Sequence, residues 1–380
     1  MDTNRFSRLD LSAVPSPCFL VDETLLKENL LILDSIQKKT GCKILLALKG
    51  FAMWSTFPLI QPYLAGICAS SVNEARLGKE EFGKEVHSYA PAYSKKDMKE
   101  LVNYSTAISF NSFSQWKNHK EIVLKKKIKC GIRVNPEYSE VKVDLYNPCA
   151  KNSRLGVLES EMKGEDLSEL SGVHFHALCE NNADALEHVL AAFEKKFGKY
   201  LKGMHWVNFG GGHYITHPEY NREKLCRLIT DFKKRYNVEV YLEPGTSVAL
   251  NTGILVSTVL DIVHNTIVIL DTSAEAHMPD VLAMPYRPDI IGAGKPKEKK
   301  CTYTLGGLTC LAGDVIGEYS FDRPLNIGDK IIFLDMAHYS MVKTTMFNGI
   351  QHPAIGLIKK NGDIKILRNF SYEDYKNRLS

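Results

Sequence analysis

Four short motifs place chemically useful side chains directly behind apolar runs. The first is Lys43–Gly50, KILLALKG, in which five apolar residues separate Lys43 from Lys49. An apolar run of this length between glycines predicts a strand buried on both faces of a parallel sheet. The carboxyl ends of such strands carry the active sites of α/β barrels, and a partly desolvated lysine there can act as a nucleophile. The alternative is a lysine whose ammonium group merely reaches solvent from the strand end.

The second motif is His174-Phe175-His176, in which the alternation puts both histidines on one face of a strand. We expect at least one of these histidines to be a hydrogen-bonded residue of the protein interior. The other has the flat aromatic ring that can stack on a cofactor.

The third and fourth motifs are a glycine triplet and a carboxylate ahead of a rigid turn. Gly210, Gly211 and Gly212 follow the run HWVNF, and their amides could hold an oxyanion, with help from the dipole of a helix that begins soon afterwards. No GK[ST] follows, so this is not a nucleotide-binding P-loop, and a triplet alone is a weak indication. Glu243 stands before Pro244-Gly245, where its carboxylate could hold a protonated ring nitrogen or could simply cap a loop.

Together these motifs supply the parts that pyridoxal phosphate requires of a protein. They are a lysine, a histidine that can stack on the ring, a cradle for the phosphate and a carboxylate for the ring nitrogen. Because the four follow one another at successive strand ends, we favour a site for this cofactor over coincidence.

The elements that must position these residues alternate between strands and helices. The predicted strands are 43–49, 65–69, 86–90, 107–110, 128–134, 172–178, 205–209 and 238–242. Predicted helices include 23–40, 72–82, 94–103, 114–126, 183–201 and 219–236, the first of them capped by Asp22. Eight strands separated by helices predict an α/β fold, a (β/α)8 barrel over residues 22–243.

The residue composition changes after Pro244. Segments 253–263 and 265–271 are rich in Val, Ile and Thr, and Asn361-Gly362-Asp363 predicts a hairpin turn. We therefore expect a C-terminal antiparallel β domain, sandwich-like or barrel-like, over residues 244–380 together with 1–21. With little spacer between the two domains, a packed interface with a site between them is expected.

Composition excludes several classes of protein. The 380 residues carry a formal charge of only +4 with scattered basic residues, which does not favour nucleic-acid binding. No run reaches membrane length and the N-terminus lacks an apolar signal core, so no membrane association is expected. Nine cysteines show no metal-ligand spacing, so we expect reduced thiols, no metal site and a cytoplasmic protein.

The motifs resemble those of the fold-type III pyridoxal phosphate decarboxylases, which include the ornithine, diaminopimelate and biosynthetic arginine enzymes. The resemblance covers nearly the whole chain. ALKG resembles the Schiff-base motif, which makes Lys49 catalytic and the covalent anchor of the cofactor. FHALC is similar to the segment whose histidine, here His176, stacks on the pyridine ring and acts in catalysis. Cys179 falls where a phosphate-binding serine is usual, and FGGG resembles the phosphate loop. EPG resembles the motif whose carboxylate, here Glu243, contacts the ring nitrogen.

The C-terminal half carries two further motifs of this family. Gly306–Asp314, GGLTCLAGD, is similar to an element that reaches across a dimer interface into the partner's site. The resemblance therefore implies a homodimer with active sites at its interface, in which Cys310 of the partner subunit reprotonates the α-carbon after carbon dioxide leaves. DMAHYSMVKTTMFNG resembles the segment that places Tyr339 at the phosphate.

Departures from the family pattern indicate the substrate. Thr246 stands where many relatives have an arginine, Ile67 lies where ornithine enzymes carry an aspartate, and Leu311 replaces an acidic residue that binds a substrate amine. These changes, and the stretch Ser273–Pro288, resemble the branch that decarboxylates carboxynorspermidine or carboxyspermidine in polyamine biosynthesis. The candidate acidic residues for the substrate are Glu243, Glu275, Asp280 and Asp314.

Three other functions stay open at this point. A diaminopimelate, ornithine or arginine decarboxylase would keep the fold and the chemistry. An amino-acid racemase would need a second acid or base, such as Tyr303 or Tyr339. A pyridoxal phosphate homeostasis protein is disfavoured because those proteins are single barrels without a β domain.

Overall fold

The computed structural model describes residues 3–380, which form two compact units. One unit is Lys27–Val248, and the other joins the chain up to Leu26 with Ala249–Ser380. The strands, in chain order, are β1 (Cys18–Asp22), β2 (Lys43–Ala47), β3 (Gly66–Ala69), β4 (Glu85–Tyr89), β5 (Ala107–Phe110), β6 (Lys129–Arg133), β7 (Gly172–His174), β8 (Trp206–Asn208), β9 (Glu239–Leu242), β10 (Gly253–Val263), β11 (Ile267–Leu270), β12 (Cys301–Gly306), β13 (Val315–Phe321), β14 (Lys330–Leu334), β15 (Ala354–Ile358) and β16 (Ile364–Arg368).

The α-helices fill most of the connections between strands. They are α1 (Thr3–Ser7), α2 (Glu23–Thr40), α3 (Phe57–Ile60), α4 (Val72–Leu77), α5 (Lys95–Leu101), α6 (Phe113–Lys125), α7 (Glu159–Met162), α8 (Ala183–Phe197), α9 (Arg222–Tyr236), α10 (Thr246–Ala249), α11 (Ala274–His277), α12 (Asp280–Ala283) and α13 (Tyr372–Leu379). Short 3₁₀ helices lie at Trp54–Thr56, Asp144–Tyr146, Gly198–Tyr200, Met341–Lys343 and Phe347–Gly349, and a π turn lies at Gly78–Phe82. Among the helices of the described residues, none is both long and apolar enough to cross a membrane.

The predicted eight-stranded parallel barrel is confirmed. Strands β2 to β9 pair in order, and β9 closes the ring by pairing with β2, where Lys43 lies opposite Tyr241. Two strands end two or more residues earlier than predicted, β2 at Ala47 and β7 at His174. Beyond Ala47 the chain turns at once, because the amides of Gly50 and Phe51 both donate to the Ala47 carbonyl.

Helix α2 begins and ends where the sequence predicts. Asp22 caps it, since its Oδ1 accepts from the amides of Thr24 at 2.8 Å and Leu25 at 3.1 Å. Its buried side chains recur at helical spacing, at Leu26, Leu30, Leu33 and Ile36.

The second unit contains a mixed sheet, where the sequence predicts an antiparallel one. Most of its strand pairs are antiparallel, but β1 pairs in parallel with β15 and β11 pairs in parallel with β12. The reason for the first exception is that β1 precedes the barrel in the chain and enters the sheet between β10 and β15. The predicted turn at Asn361-Gly362-Asp363 is confirmed, and it joins the antiparallel pair β15 and β16.

Candidate active site

The strand-end motifs meet at one end of the barrel. Lys49 follows β2, His176 follows β7, the glycine triplet follows β8 and Glu243 follows β9. Because all eight strands run in parallel, their carboxyl ends share one face, which is the face that carries active sites in this architecture.

Asn208, the last residue of β8, links two of these motifs. Its side-chain Nδ2 donates to Oε1 of Glu243 at 2.6 Å, and its Oδ1 accepts from the amide of Gly210 at 2.8 Å. The amide of Glu243 in turn donates to the carbonyl of Gly210 at 2.8 Å. The carboxylate and the glycine triplet are therefore held in one hydrogen-bonded arrangement.

The ring of His176 is fixed by the same triplet. The amide of Gly211 donates to Nδ1 of His176 at 2.8 Å, so the ring proton of the neutral imidazole resides on Nε2. Burial and the positive charge of Lys49 lower the pKa of His176 well below its usual value. The ring is therefore neutral at physiological pH, which suits stacking on an aromatic cofactor.

His174 is an interior residue of the barrel. Its side chain is buried, and neither ring nitrogen has a hydrogen-bond partner among the described residues. Its Nε2 lies 3.6 Å from Oε2 of Glu243, and burial lowers the pKa of His174 to about 4 despite that carboxylate. Of the two histidines, His176 is therefore the hydrogen-bonded one, whereas His174 stays neutral beside Glu243.

Close packing explains why three consecutive glycines are needed. A Cβ atom at Gly210, Gly211 or Gly212 would lie 2.6, 2.5 or 2.0 Å from a backbone oxygen of Phe175, Glu243 or Leu178, respectively. Gly210 and Gly212 also have positive φ angles of 72° and 81°, which glycine adopts at no cost.

The triplet offers fewer free amides than predicted. The amides of Gly210 and Gly211 are already used by Asn208 and His176, which leaves the amide of Gly212 without a hydrogen-bond partner among the described residues. The expected helix dipole is also absent from the loop, because the next helix begins only at Arg222.

Lys49 is exposed, which contradicts the predicted desolvation. It lies two residues beyond the end of β2, in the turn closed by the Ala47 carbonyl. Its positive charge is nonetheless close enough to lower the pKa of His176, and it opposes the burial that raises the pKa of Glu74. The charge of Lys49 therefore acts on residues at this end of the barrel.

Arg133 is a site residue that the sequence reasoning missed. It ends β6, it is buried, and its Nε has no hydrogen-bond partner among the described residues. Its guanidinium lies over the Tyr89 ring at 4.3 Å, and its charge contributes to lowering the pKa of His176. The signal was available, since Arg133 ends the apolar strand IKCGIRV much as Lys49 follows KILLAL.

Two of the predicted residues beside the barrel motifs have local partners. Cys179 is half-buried, and its amide donates to Oδ1 of Asn181 at 2.9 Å. Thr246 is buried, and its hydroxyl donates to Oε1 of Glu180 at 3.3 Å.

In the other unit, three loops are joined by hydrogen bonds, and together they carry the remaining predicted residues. We call residues 272–284, 307–314 and 335–351 the three-loop cluster. The amide of Cys310 donates to Oδ1 of Asn348 at 2.7 Å, and the amide of Thr345 donates to the carbonyl of Ala276 at 2.8 Å. Cys310 is exposed and Tyr339 is half-buried with a positive φ of 54°.

The buried side chain of His277 connects residues 272–284 to residues 335–351. Its Nε2 donates to the carbonyl of Gln351 at 3.0 Å and its Nδ1 accepts from the Thr272 hydroxyl at 3.0 Å. Burial lowers the pKa of His277 to about 4, so the ring is neutral and holds both bonds.

The three acidic residues predicted to bind substrate in this cluster differ in their surroundings. Asp314 is buried and accepts five hydrogen bonds, from Ser273, Ala274, Glu275 and the amide and hydroxyl of Thr309. Its oxygens are thus occupied in holding the loops together, so we do not retain it as a substrate ligand. Asp280 pairs with Lys343. Glu275 is half-buried, and its carboxylate has no partner among the described residues.

The residues at the barrel face fit pyridoxal phosphate. Arg133 is a buried guanidinium without an anionic partner among the described residues, which calls for an oxyanion, and the free amide of Gly212 can donate to a phosphate oxygen. Glu243 offers an acceptor for a protonated ring nitrogen beside the neutral, flat ring of His176. Among the described residues, no group of side chains could hold a metal ion.

Comparison with known proteins is consistent with this geometry. Residues 18–337 match the model of a family described as pyridoxal-dependent decarboxylase, C-terminal sheet domain. The chain is 47% identical to the carboxyaminopropylagmatine decarboxylase of Synechocystis, over 97% of this chain and 96% of that protein. It is 45% identical to the carboxynorspermidine/carboxyspermidine decarboxylase of Campylobacter jejuni, over 96% and 98% of the two chains.

A solved structure agrees over the same length. The crystal structure of the carboxynorspermidine decarboxylase of Campylobacter jejuni, complexed with norspermidine, has a TM-score of 0.90 and 44% identity, and covers 96% of this chain and 100% of that one. The chain described here therefore belongs to the family of pyridoxal-dependent decarboxylases.

Proposed function

We propose that the enzyme removes the carboxylate from carboxynorspermidine and carboxyspermidine, which yields norspermidine and spermidine. The observation that carries the proposal is the near full-length likeness to the Campylobacter jejuni enzyme whose structure contains norspermidine. Leu311, which follows Cys310, adds support, because an apolar side chain there cannot bind the second amine of a short diamino acid.

Each residue of the barrel face has a separate role in decarboxylation. Bound pyridoxal phosphate supplies the electron sink, and Lys49 is its covalent anchor. Glu243 would hold a protonated ring nitrogen, and His176 would stack on the ring. Arg133 would hold an oxyanion.

The phosphate is held by neutral groups in this proposal. Its proposed ligands in the barrel unit are the free amide of Gly212 and the Cys179 side chain. Thr246 provides no positive charge, and its hydroxyl is bound to Glu180.

A second subunit completes the chemistry. We infer a homodimer in which Cys310 of the partner subunit gives a proton to the α-carbon. The three-loop cluster that carries Cys310 has the exposed apolar surface that a dimer interface needs. Its exposed apolar side chains are Met284, Leu308, Leu311, Val342 and Phe347.

The amines of the polyamine chain need carboxylates. Glu275 is the best candidate, because it is half-buried and has no partner among the described residues, whereas Asp280 could bind an amine only by releasing Lys343. We also infer that the enzyme works in the cytoplasm, since all nine cysteines lie in the described part of the chain and none forms a disulfide.

A second substrate is favoured by one specific observation. The Synechocystis relative, 47% identical over 97% of this chain, is named for carboxyaminopropylagmatine, which ends in a guanidinium where the polyamines end in an amine. An unpaired carboxylate such as Glu275 can bind either group, and it would bind a guanidinium through two parallel hydrogen bonds.

The test is the release of carbon dioxide by purified, cofactor-loaded protein. The panel contains carboxynorspermidine, carboxyspermidine, carboxyaminopropylagmatine, diaminopimelate, ornithine and arginine, with products identified by mass. Turnover confined to the first two supports the proposal, and a higher kcat/KM for the third replaces it with the second candidate. Turnover of an ordinary diamino acid would overturn the interpretation of Leu311, and release from none of the six would return the racemase function to consideration.

A further inference from the structure

A cavity of about 420 Å³ lies in the unit that joins the chain up to Leu26 with Ala249–Ser380. We call it the sheet-unit cavity. Its volume is in the range of small-molecule sites, and none of the described residues that line it is assigned above to the cofactor or the substrate. Its lining combines apolar side chains with two charged ones, and includes Arg287, Asp289, Ile290, Ile291, Tyr319 and Leu334.

Arg287 is held in place without an acidic partner. Its guanidinium lies over the Tyr319 ring, 4.4 Å from the ring centroid, and its Nη1 donates to the carbonyls of Gly294 at 3.3 Å and Glu318 at 3.2 Å. Gly317 leaves room for this arrangement, because a Cβ atom there would lie 3.0 Å from Cγ of Arg287. The Nε and Nη2 groups of Arg287 have no hydrogen-bond partner among the described residues, so they remain available for an oxyanion.

Asp289 lines the same cavity from a backbone segment that is fixed beside β14. Its carbonyl accepts from the amide of Leu334 at 2.8 Å, and the amide of Ile291 donates to the carbonyl of Ile332 at 3.1 Å. In the part of the chain that the structure describes, the Asp289 carboxylate has no hydrogen bond and no ion pair, and it does not pair with Arg287. The sheet-unit cavity therefore presents one positive and one negative group that do not compensate each other.

A ligand with the opposite two charges on neighbouring atoms matches this arrangement. In an α-amino acid, the carboxylate can accept two parallel hydrogen bonds from Nε and Nη2 of Arg287, and the ammonium group can donate to Asp289. Because the Tyr319 ring and two carbonyls already hold Arg287, binding restricts this side chain little further. We propose that the sheet-unit cavity is a second ligand site, which binds the α-amino acid group with Arg287 on the carboxylate and Asp289 on the ammonium.

Two sources can supply this chemical group. One is a free amino acid. The other is the substrate of the proposed function, since carboxynorspermidine carries an ammonium and a carboxylate on its α-carbon. The product norspermidine lacks the carboxylate, so Arg287 would favour the substrate over the product. Only this second source rests on the proposed function.

The experiment is a calorimetric titration of the holoenzyme after reduction with borohydride, which fixes the cofactor to Lys49 and prevents its displacement by an amine. The probes are L-2-aminobutyrate, butyrate, which lacks the ammonium, and 2-aminobutyramide, which lacks the carboxylate. In the wild type we expect L-2-aminobutyrate to bind more tightly than either of the others by roughly 10-fold or more, the effect of a hydrogen bond between charged groups. Carboxynorspermidine and norspermidine then distinguish the sources. Tighter binding of carboxynorspermidine than of L-2-aminobutyrate assigns the site to the substrate, and equal affinity assigns it to free amino acids.

Two variants separate the roles of the charged residues. Arg287→Gln should weaken the binding of L-2-aminobutyrate and of butyrate alike by roughly 10- to 100-fold, because both probes present a carboxylate. Asp289→Asn should weaken L-2-aminobutyrate by roughly 10-fold and leave butyrate at least as tightly bound, a difference that a merely structural role would not produce. The matched control is Arg323→Gln, an exposed arginine of the same unit that pairs with Asp329, and it should bind every probe as the wild type does.

Three results would overturn the proposal. They are no binding of L-2-aminobutyrate to the wild type, equal affinity of the wild type for L-2-aminobutyrate and butyrate, which would indicate a site for anions only, and equal losses for both probes in Asp289→Asn. If Arg287→Gln does not fold, Asp289→Asn decides, because Asp289 is exposed. If the wild type takes up no pyridoxal phosphate, the proposed function fails, and the same titration without cofactor still tests the sheet-unit cavity.

Discussion

The amide of Cys310 donates to Oδ1 of Asn348 at 2.7 Å, so the loop that carries the proposed acid is fixed by a residue 38 positions further along the chain. Asn348 has a positive φ of 55°, a conformation that asparagine accepts more readily than most residues. The motif FNG is therefore explained in part by its hold on Cys310.

Replacement of Cys310 by alanine should leave cofactor binding intact and slow turnover by roughly 10²- to 10⁴-fold, which is what a positioned acid contributes. The reason is that the carbanion must then take its proton from water. The measurement is steady-state kcat together with the distribution of products. Asn348→Ala should show a smaller loss of the same kind, because the acid remains but its loop is released. An unchanged kcat in Cys310→Ala would remove this residue from the mechanism.

Replacement of Lys49 by alanine should abolish covalent attachment of pyridoxal phosphate. Among the described residues we assign no other lysine to the barrel face, so we expect no neighbour to replace the exposed amine in the turn after β2. Reduction with borohydride followed by peptide mass analysis should place the cofactor on the Lys49 peptide in the wild type and on no peptide in the variant. We expect kcat to fall by more than about 10³-fold, as on loss of other covalent catalysts. The control is Lys39→Ala, at the exposed end of α2, where attachment and turnover should be normal.

The sequence predicted the barrel and the four strand-end motifs because both depend on local signals, which are apolar runs and the residues that follow them. It could not predict that Asn208 links two motifs, because its two hydrogen-bond partners, Glu243 and Gly210, follow different strands. Asp314 shows the opposite error. Its residue type indicated an amine ligand, but only the fold reveals that five donors already occupy it. The exposure of Lys49 was missed because β2 ends at Ala47, two residues before the predicted end of the strand.

Acid should destabilise the protein through its buried neutral histidines. Burial lowers the pKa values of His174, His213 and His277 to about 4, whereas in the unfolded chain they return to about 6.5. Between these pH values the unfolded state binds more protons than the folded one. The free energy of unfolding is therefore not reduced by these histidines above about pH 6.5, and it falls as the pH is lowered toward 4. Across this pH range each histidine lowers the free energy of unfolding by on the order of 1–3 kcal/mol.

The measurement is the thermal midpoint of the apoprotein from pH 7 to about pH 4. His277→Gln should flatten part of the decline, since glutamine can keep a hydrogen bond to the Gln351 carbonyl without taking up a proton. His205→Gln, at an exposed position, should follow the wild-type curve. Equal slopes in the wild type and His277→Gln would contradict this assignment.

The buried carboxylate of Asp22 should make the protein depend on its first helix. Asp22 is fully buried, caps α2 and pairs with Arg5 of α1, which also donates to the Thr24 hydroxyl at 3.2 Å. Removal of one partner from a buried ion pair leaves a charge without compensation, so Arg5→Ala should lower the free energy of unfolding by about 3 kcal/mol. Arg8→Ala, three residues on and exposed, should change it by less than about 0.5 kcal/mol. Urea unfolding of both variants measures the difference, and equal midpoints would show that Asp22 is stabilised by the amides of α2 alone.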